Sequence, residues 1–283
     1  MIANAAWLIV EVGAGLVLNS LALLADAAHM LSDVAGLAIA LGAQQLLRRP
    51  ASQRHTYGLQ RAEVLGALAN GLLLLVAVSW IGYEAVHRLA APEPVAGGGL
   101  AAVAAAGLAI NVASAVVLLR ARGKSLNMHG AFVHMALDAL GSAAALAAGV
   151  VILVFGTAVA DPVASLAVAG LVLFSTWGLL RDTVHVLLEG APRDVDPLVV
   201  ERALAGAPGV EDVHHLHIWN LASDVPALSA HVVIEGDVML HDAQVIGDRL
   251  RALLEARFGI EHATLELECH ACDPQGAPMA DRR

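Results

Sequence analysis

A chain of 283 residues that is 58% hydrophobic and only 15% charged departs in both directions from an average soluble domain. That balance excludes a purely soluble protein and makes the lipid bilayer a partner. A formal net charge of -10, with the acidic residues gathered after residue 190, excludes nucleic acid as another.

In chain order, six apolar stretches approach the roughly 20 helical residues a bilayer core requires. They lie near 1–18, 21–47, 63–89, 99–120, 131–156 and 162–188. The first carries no charged lead-in or small-residue cleavage site of a signal peptide. Polar or helix-breaking residues separate them: Asn19-Ser20, the run 48–61, Pro92-Glu93-Pro94, the run 120–127, and Asp161-Pro162. The last pair reads as a helix cap followed by proline at the first helical position. Arg48, Arg49, Arg54 and Arg61 follow the second span and Arg120, Arg122 and Lys124 the fourth, whereas Arg88 stands nearly alone on the other side. Positive residues mark the cytoplasmic face, so a multi-pass protein of the inner (plasma) membrane with both termini cytoplasmic is expected.

After Glu189-Gly190 the texture changes. Residues 196–205 are helically periodic, 210–219 and 227–235 alternate as strands, 241–258 form an amphipathic helix, and 263–268 alternate again. The expected fold is a six-helix transmembrane domain over 1–189, a small α+β (αββαβ) domain over 190–270, and a tail over 271–283.

Chemistry concentrates in two of the spans. His29 and Asp33, and likewise His134 and Asp138, stand four residues apart, so each pair projects from one helix face. Two such helices face to face offer two imidazole nitrogens and two carboxylates, a donor set that suits Zn²⁺. Ionisable groups at membrane depth are costly and mark function. Asp26, one turn before His29, either packs the helices or orients a ligand. Glu11 is either a relay group or neutralised packing, and Glu84 near a span end snorkels to the interface. Asn111 is the other polar residue inside a span. Cys269 and Cys272 form a lone C-x-x-C, either a metal trap or a reduced thiol pair.

Five stretches, SLALLADAAHMLSD (20–33), HTYGLQRAEVLGALANG (55–71), SLNMHGAFVHMALDALGS (125–142), LLEGAP (187–192) and VHHLHIWNL (213–221), resemble the cation diffusion facilitator family, in its zinc-exporting bacterial branch. The resemblance implies a homodimer in which the first, second, fourth and fifth helices surround the metal. It also implies a ferredoxin-like cytoplasmic domain that dimerises. It carries the transport site to His29, Asp33, His134 and Asp138. A further cytoplasmic metal site, structural or regulatory, falls by the same resemblance on His214, His231, His241, Glu266 and Glu268. Here His215 stands where Asp is usual, and the last-strand pair is Glu-x-Glu. Those side chains are either metal ligands or solvated sheet-edge histidines. The C-x-x-C resembles the terminal pair of vesicular zinc transporters, and His55, at a peripheral loop position, reads as a surface histidine.

The expected function is export of Zn²⁺ by alternating access with protons as counter-substrate, because the ion and protons both relieve the burial of the two carboxylates. Small residues after Asp138, from Ala139 to Ala145, permit close helix contact. Cd²⁺, Co²⁺ or Ni²⁺ efflux is the alternative substrate reading. An intramembrane metallohydrolase lacks H-E-x-x-H and a visible nucleophile, so the chain is read as a transporter and not an enzyme. A metal sensor that transports nothing is the remaining alternative.

Overall fold

The computed structural model describes residues 2–47, 50–121 and 126–270. Arg48, Arg49, Arg122, Lys124, Cys272 and the 271–283 tail lie outside the described residues. The chain divides into two compact units, one of residues 1–42 with 66–181, the other of residues 43–65 with 182 onward.

The first unit is built on α1 (Ile2–Leu18), α2 (Leu21–Leu47), α3 (Ala62–Ala90), α4 (Gly97–Ala121), α5 (Leu126–Phe155) and α6 (Ala160–Leu187). Among the described residues, α2 to α6 are long and apolar enough to cross a bilayer; α1, apolar but shorter, falls just under that length. Val17, Phe155 and Phe174 point outward and exposed, which suits lipid rather than water. Inside, small residues let backbones touch. A Cβ at Gly149 of α5 would come within 2.6 Å of the Ala101 amide nitrogen of α4. A core of Ala22, Leu23, Leu100, Ala104, Ala145 and Ala148 fills this end of the unit.

The α1–α2 corner turns on Asn19, whose φ of 53° is left-handed, a conformation asparagine tolerates better than most residues. Ser20 caps α2 by accepting from the Leu23 amide at 3.3 Å. The expected cap at Asp161 is corrected here. α6 already begins at Ala160, and the fully buried Asp161 carboxylate reaches across to α2. It accepts from Ser20 Oγ at 2.5 Å, the Leu21 amide at 2.8 Å and the Ala22 amide at 3.3 Å. The orphan amides at the start of α2 are thus satisfied from another helix.

In the second unit, α7 (Pro197–Ala205) starts at an Asp196 cap, whose side chain accepts from the Leu198 amide, with proline at the first position. It is followed by β1 (Val210–Ala222), β2 (Val225–Ile234), α8 (Leu240–Phe258) and β3 (His262–Glu268), the expected αββαβ order. β2 is central, antiparallel to β1 and parallel to β3. Val200, Leu204, Leu250 and Leu254 of the helices pack on Leu228, Val232 and Leu216 of the sheet. A bulge in β1 matters for chemistry. His214 pairs with His231 but His217 pairs with Ser229, so β1 holds one extra residue, and His215 takes φ 50° to absorb it. Val213 and Leu216 can therefore both enter the core, and His214 takes the opposite face. Within this unit Tyr57 meets His262 edge-on at 6.2 Å and Arg61 pairs with Glu189 at 3.1 Å; His55 is exposed, as expected.

Candidate metal centres

α2 presents His29 and Asp33 one turn apart, and α5 presents Asp138 opposite them. His29 Nε2 and Asp138 Oδ1 are 3.0 Å apart, with side chains only 15% and 9% exposed. One ligand atom from each of His29, Asp33 and Asp138 lies within 4.8 Å of the others. His134 falls on α5 one turn before Asp138, and its side chain lies outside the described residues. A tetrahedral Zn²⁺ holding an imidazole nitrogen and a carboxylate oxygen sets them about 3.3 Å apart. The His29–Asp138 contact is thus close to ligand spacing already. A cavity of about 600 Å³ adjoins, lined among others by Trp7, Met30, Asp33, Asn111, Met135 and Asp138.

Polar side chains continue beyond these ligands. Asp26, 4% exposed, accepts from Ser142 Oγ at 3.1 Å, and Ser142 Oγ in turn accepts from Asn111 Nδ2 at 3.2 Å. Glu11, 1% exposed, accepts from Trp7 Nε1 at 3.0 Å. Asn70 of α3 donates to Ser32 Oγ at 2.9 Å, beside Asp33. Sequence reasoning missed Ser142 and Trp7. Ser142 stands amid alanines and glycine and reads as packing, yet its place four residues after Asp138 puts it on the ligand face. Near the end of α3, the Glu84 carboxylate accepts from Arg88 Nε at 3.0 Å, one turn along the same helix.

The second cluster lies on the sheet face opposite α7 and α8. His214, His231 and Glu268 bring one ligand atom each within 4.8 Å of one another. Glu268 Oε1 is 2.7 Å from His231 Nδ1, and Glu268 Oε2 is 3.3 Å from His214 Nε2. His214 and Glu268 are buried, and neither ring nitrogen of His214 makes a hydrogen bond with good geometry among the described residues. Glu266, exposed, reaches His231 Nε2 at 3.4 Å from the cluster's edge. His241 is exposed on the first turn of α8 and does not belong to the cluster. Cys269 is exposed, its Sγ 3.2 Å from His270 Nδ1.

Residues 1–188 match the family model of the cation efflux transmembrane domain, and residues 192–270 that of the cation efflux protein cytoplasmic domain. The chain is 40% identical to the zinc transporter ZitB of Escherichia coli, across 95% of this chain and 85% of that protein. It is 37% identical to the cadmium, cobalt and zinc/H(+)-K(+) antiporter of Bacillus subtilis, across 94% of this chain and 86% of that one. Among solved structures, the metal-bound C-terminal domain of the CzcD transporter from Cupriavidus metallidurans aligns at 35% identity over 26% of this chain and 99% of its own, with a TM-score of 0.24.

Proposed function

We propose that this chain, which belongs to the cation efflux family of membrane transporters and is not an enzyme, exports Zn²⁺ from the cytoplasm in exchange for protons. His29, Asp33, His134 and Asp138 hold the ion in transit. The observation that carries the reading is the His29–Asp138 contact between two apolar helices, with Asp33 in reach of the same point. Without metal, a proton bridges imidazole and carboxylate; with metal, the +2 charge offsets both carboxylates and the proton must leave. Ion and proton therefore bind in alternation. A site that exposes each form to a different face converts a proton gradient into export. Arg54 and Arg61 at one end of the spans, against Arg88 at the other, favour cytoplasmic termini in the bacterial inner membrane.

The cytoplasmic domain carries a second, non-transported Zn²⁺ on His214, His231 and Glu268, with Glu266 at the margin, and joins two copies into a homodimer. The matched family model of the cytoplasmic domain and the buried, closely spaced donors on one sheet face support this. Cd²⁺ or Co²⁺ is the second substrate reading, favoured by the printed name of the Bacillus subtilis relative.

The test is metal flux into proteoliposomes under an imposed pH gradient, comparing the parental chain with Asp138→Ala and adding Cd²⁺ and Co²⁺ as competitors. Gradient-driven Zn²⁺ uptake that Asp138→Ala abolishes is expected. Equal flux in parent and variant would remove the site assignment.

A further inference from the structure

Glu11 is the one ionisable residue in α1, and it sits 1% exposed among apolar helices. Its Oε1 accepts from Trp7, but Oε2 finds no hydrogen-bond partner among the described residues. Gly107 of α4 makes the space: a Cβ there would stand 3.2 Å from Glu11 Oε1, 3.5 Å from Ser142 Oγ and 3.5 Å from Trp7 Nε1. Glu11 therefore borders the same spot as the Asn111–Ser142–Asp26 chain of hydrogen bonds. The charged groups facing it are Asp26 of α2 and Asp138 of α5, both acidic, and α4 offers no ionisable side chain there. Among the described residues no basic side chain neutralises it, so a mobile cation is what relieves the charge.

Its position along the bundle says which cation. The cavity beside the metal ligands extends to Ala6, Leu37 and Ser114, all displaced toward the end of the bundle where α1 begins. Glu11 lies farther along α1, Asp26 precedes His29 in α2, Ser142 follows Asp138 in α5, and Gly107 precedes Asn111 in α4. Each is displaced the other way, toward the Asn19–Ser20 corner, and past them comes the apolar core of Leu23, Leu100 and Ala104. Among the described residues the groups spaced to hold a metal are the two clusters above, and Glu11 belongs to neither. Lacking converging nitrogen or sulfur donors, it suits a proton rather than Zn²⁺.

We propose that Glu11 carries an exchanged proton between the metal site and the Asn19–Ser20 end of the bundle. This rests on the reading of the chain as a metal/proton exchanger. A hydronium ion at that end gives up a proton as the site turns toward it, its O–H bond breaking to leave water as an O–H bond forms at Glu11 Oε2, and the same proton passes to a water on the opposite face, forming hydronium there, while Zn²⁺ travels the other way. Trp7 orients Glu11, and the hydrogen-bonded chain of Asp26, Ser142 and Asn111 runs beside it toward the ligand face.

The test uses the full chain in proteoliposomes with Glu11→Gln, which keeps an acceptor for Trp7 but carries no exchangeable carboxyl proton, and Glu11→Asp, which keeps the acid. Two modes are read: Zn²⁺ accumulation driven by a pH gradient, and exchange of labelled for unlabelled Zn²⁺ without one. Glu11→Gln is expected to lose the first and keep the second, with zinc affinity by calorimetry unchanged and Glu11→Asp restoring part of the accumulation. Gradient-driven accumulation in Glu11→Gln equal to that of the parent overturns the proposal. Loss of both modes together with zinc affinity overturns it too, placing Glu11 on the metal path or in the packing. A parental chain indifferent to the gradient instead overturns the exchanger reading on which the proposal stands.

Discussion

Asp161, at the start of α6, accepts from the Leu21 amide at the start of α2 at 2.8 Å, and this contact fixes the helix that bears His29 and Asp33. The carboxylate also takes the Ser20 hydroxyl and the Ala22 amide, all three inside the protein. Asp161→Ala would leave these donors buried and unmatched, at a cost of about 1–3 kcal/mol for each that finds no water. Asp161→Asn keeps one acceptor oxygen and should cost less. Thermal unfolding of the purified protein should rank the parent above Asp161→Asn and that above Asp161→Ala; equal midpoints would show that water replaces the carboxylate freely.

Zinc binding at the membrane site should release protons, because imidazole and carboxylate ligands give up any proton they carry when they take the ion. Apparent affinity should then fall as pH is lowered, with His29→Asn binding more weakly and releasing about one proton fewer. Calorimetry in buffers of different ionisation enthalpy counts the protons directly. A release that His29→Asn leaves unchanged would assign the coupling to other groups.

Much of the frame is legible in the chain because apolar runs and their breakers are local signals. The His29–Asp33 spacing is local too, and α2 does bring both residues to Asp138. What escapes is whatever depends on a partner far along the chain. Asp161-Pro162 satisfies every local rule for capping its own helix, yet the carboxylate serves α2, some 140 residues earlier. Ser142 looks like one more small packing residue until Asp26 and Asn111 appear on either side of it. On the sheet, simple alternation cannot predict that His214 meets His231 and Glu268, since the His215 bulge resets which residues face the helices. His241 opens α8 as expected and is exposed, outside the three residues gathered around Glu268.

The second cluster predicts zinc-dependent stability of the cytoplasmic unit. A ligand bound only by the folded state at about 100 times its Kd adds about 2.7 kcal/mol. In a domain of this size that raises Tm by about 10–20 °C. A fragment from residue 190 onward has its own core on Val200, Leu216, Leu228, Val232 and Leu250 to report the effect. His231→Ala should abolish the shift, since His231 lies against both Glu268 and Glu266, while His241→Ala should preserve it. A parental fragment whose melting ignores zinc would return these side chains to the role of a buried hydrogen-bonded pair.

Acid should loosen the α1–α2 corner through Glu93. Asn19 Nδ2 donates to Glu93 Oε2 at 2.9 Å, and Arg88, which also holds the Asn19 carbonyl and Oδ1 at 2.9 Å each, stands 3.3 Å from the same oxygen. The Asn19 hydrogen bond and then the Arg88 charge hold the Glu93 carboxyl below its ordinary value of 4.5. A carboxyl bound more weakly by protons when folded contributes its stability above that ordinary value, and the contribution is lost as pH falls through the lowered one. Protection should therefore be flat from neutrality down to the ordinary carboxylate value of 4.5 and decline only at pH below it. Since Glu93 is exposed, the change is confined to the corner and weakens with salt. Hydrogen exchange over residues 16–24, corrected for the intrinsic pH dependence of exchange, reads it locally. Glu93→Gln, which keeps an oxygen for Asn19 but cannot titrate, should remove the acid-side decline. If the variant and parent lose protection together on acidification, the pH response belongs to a group other than Glu93.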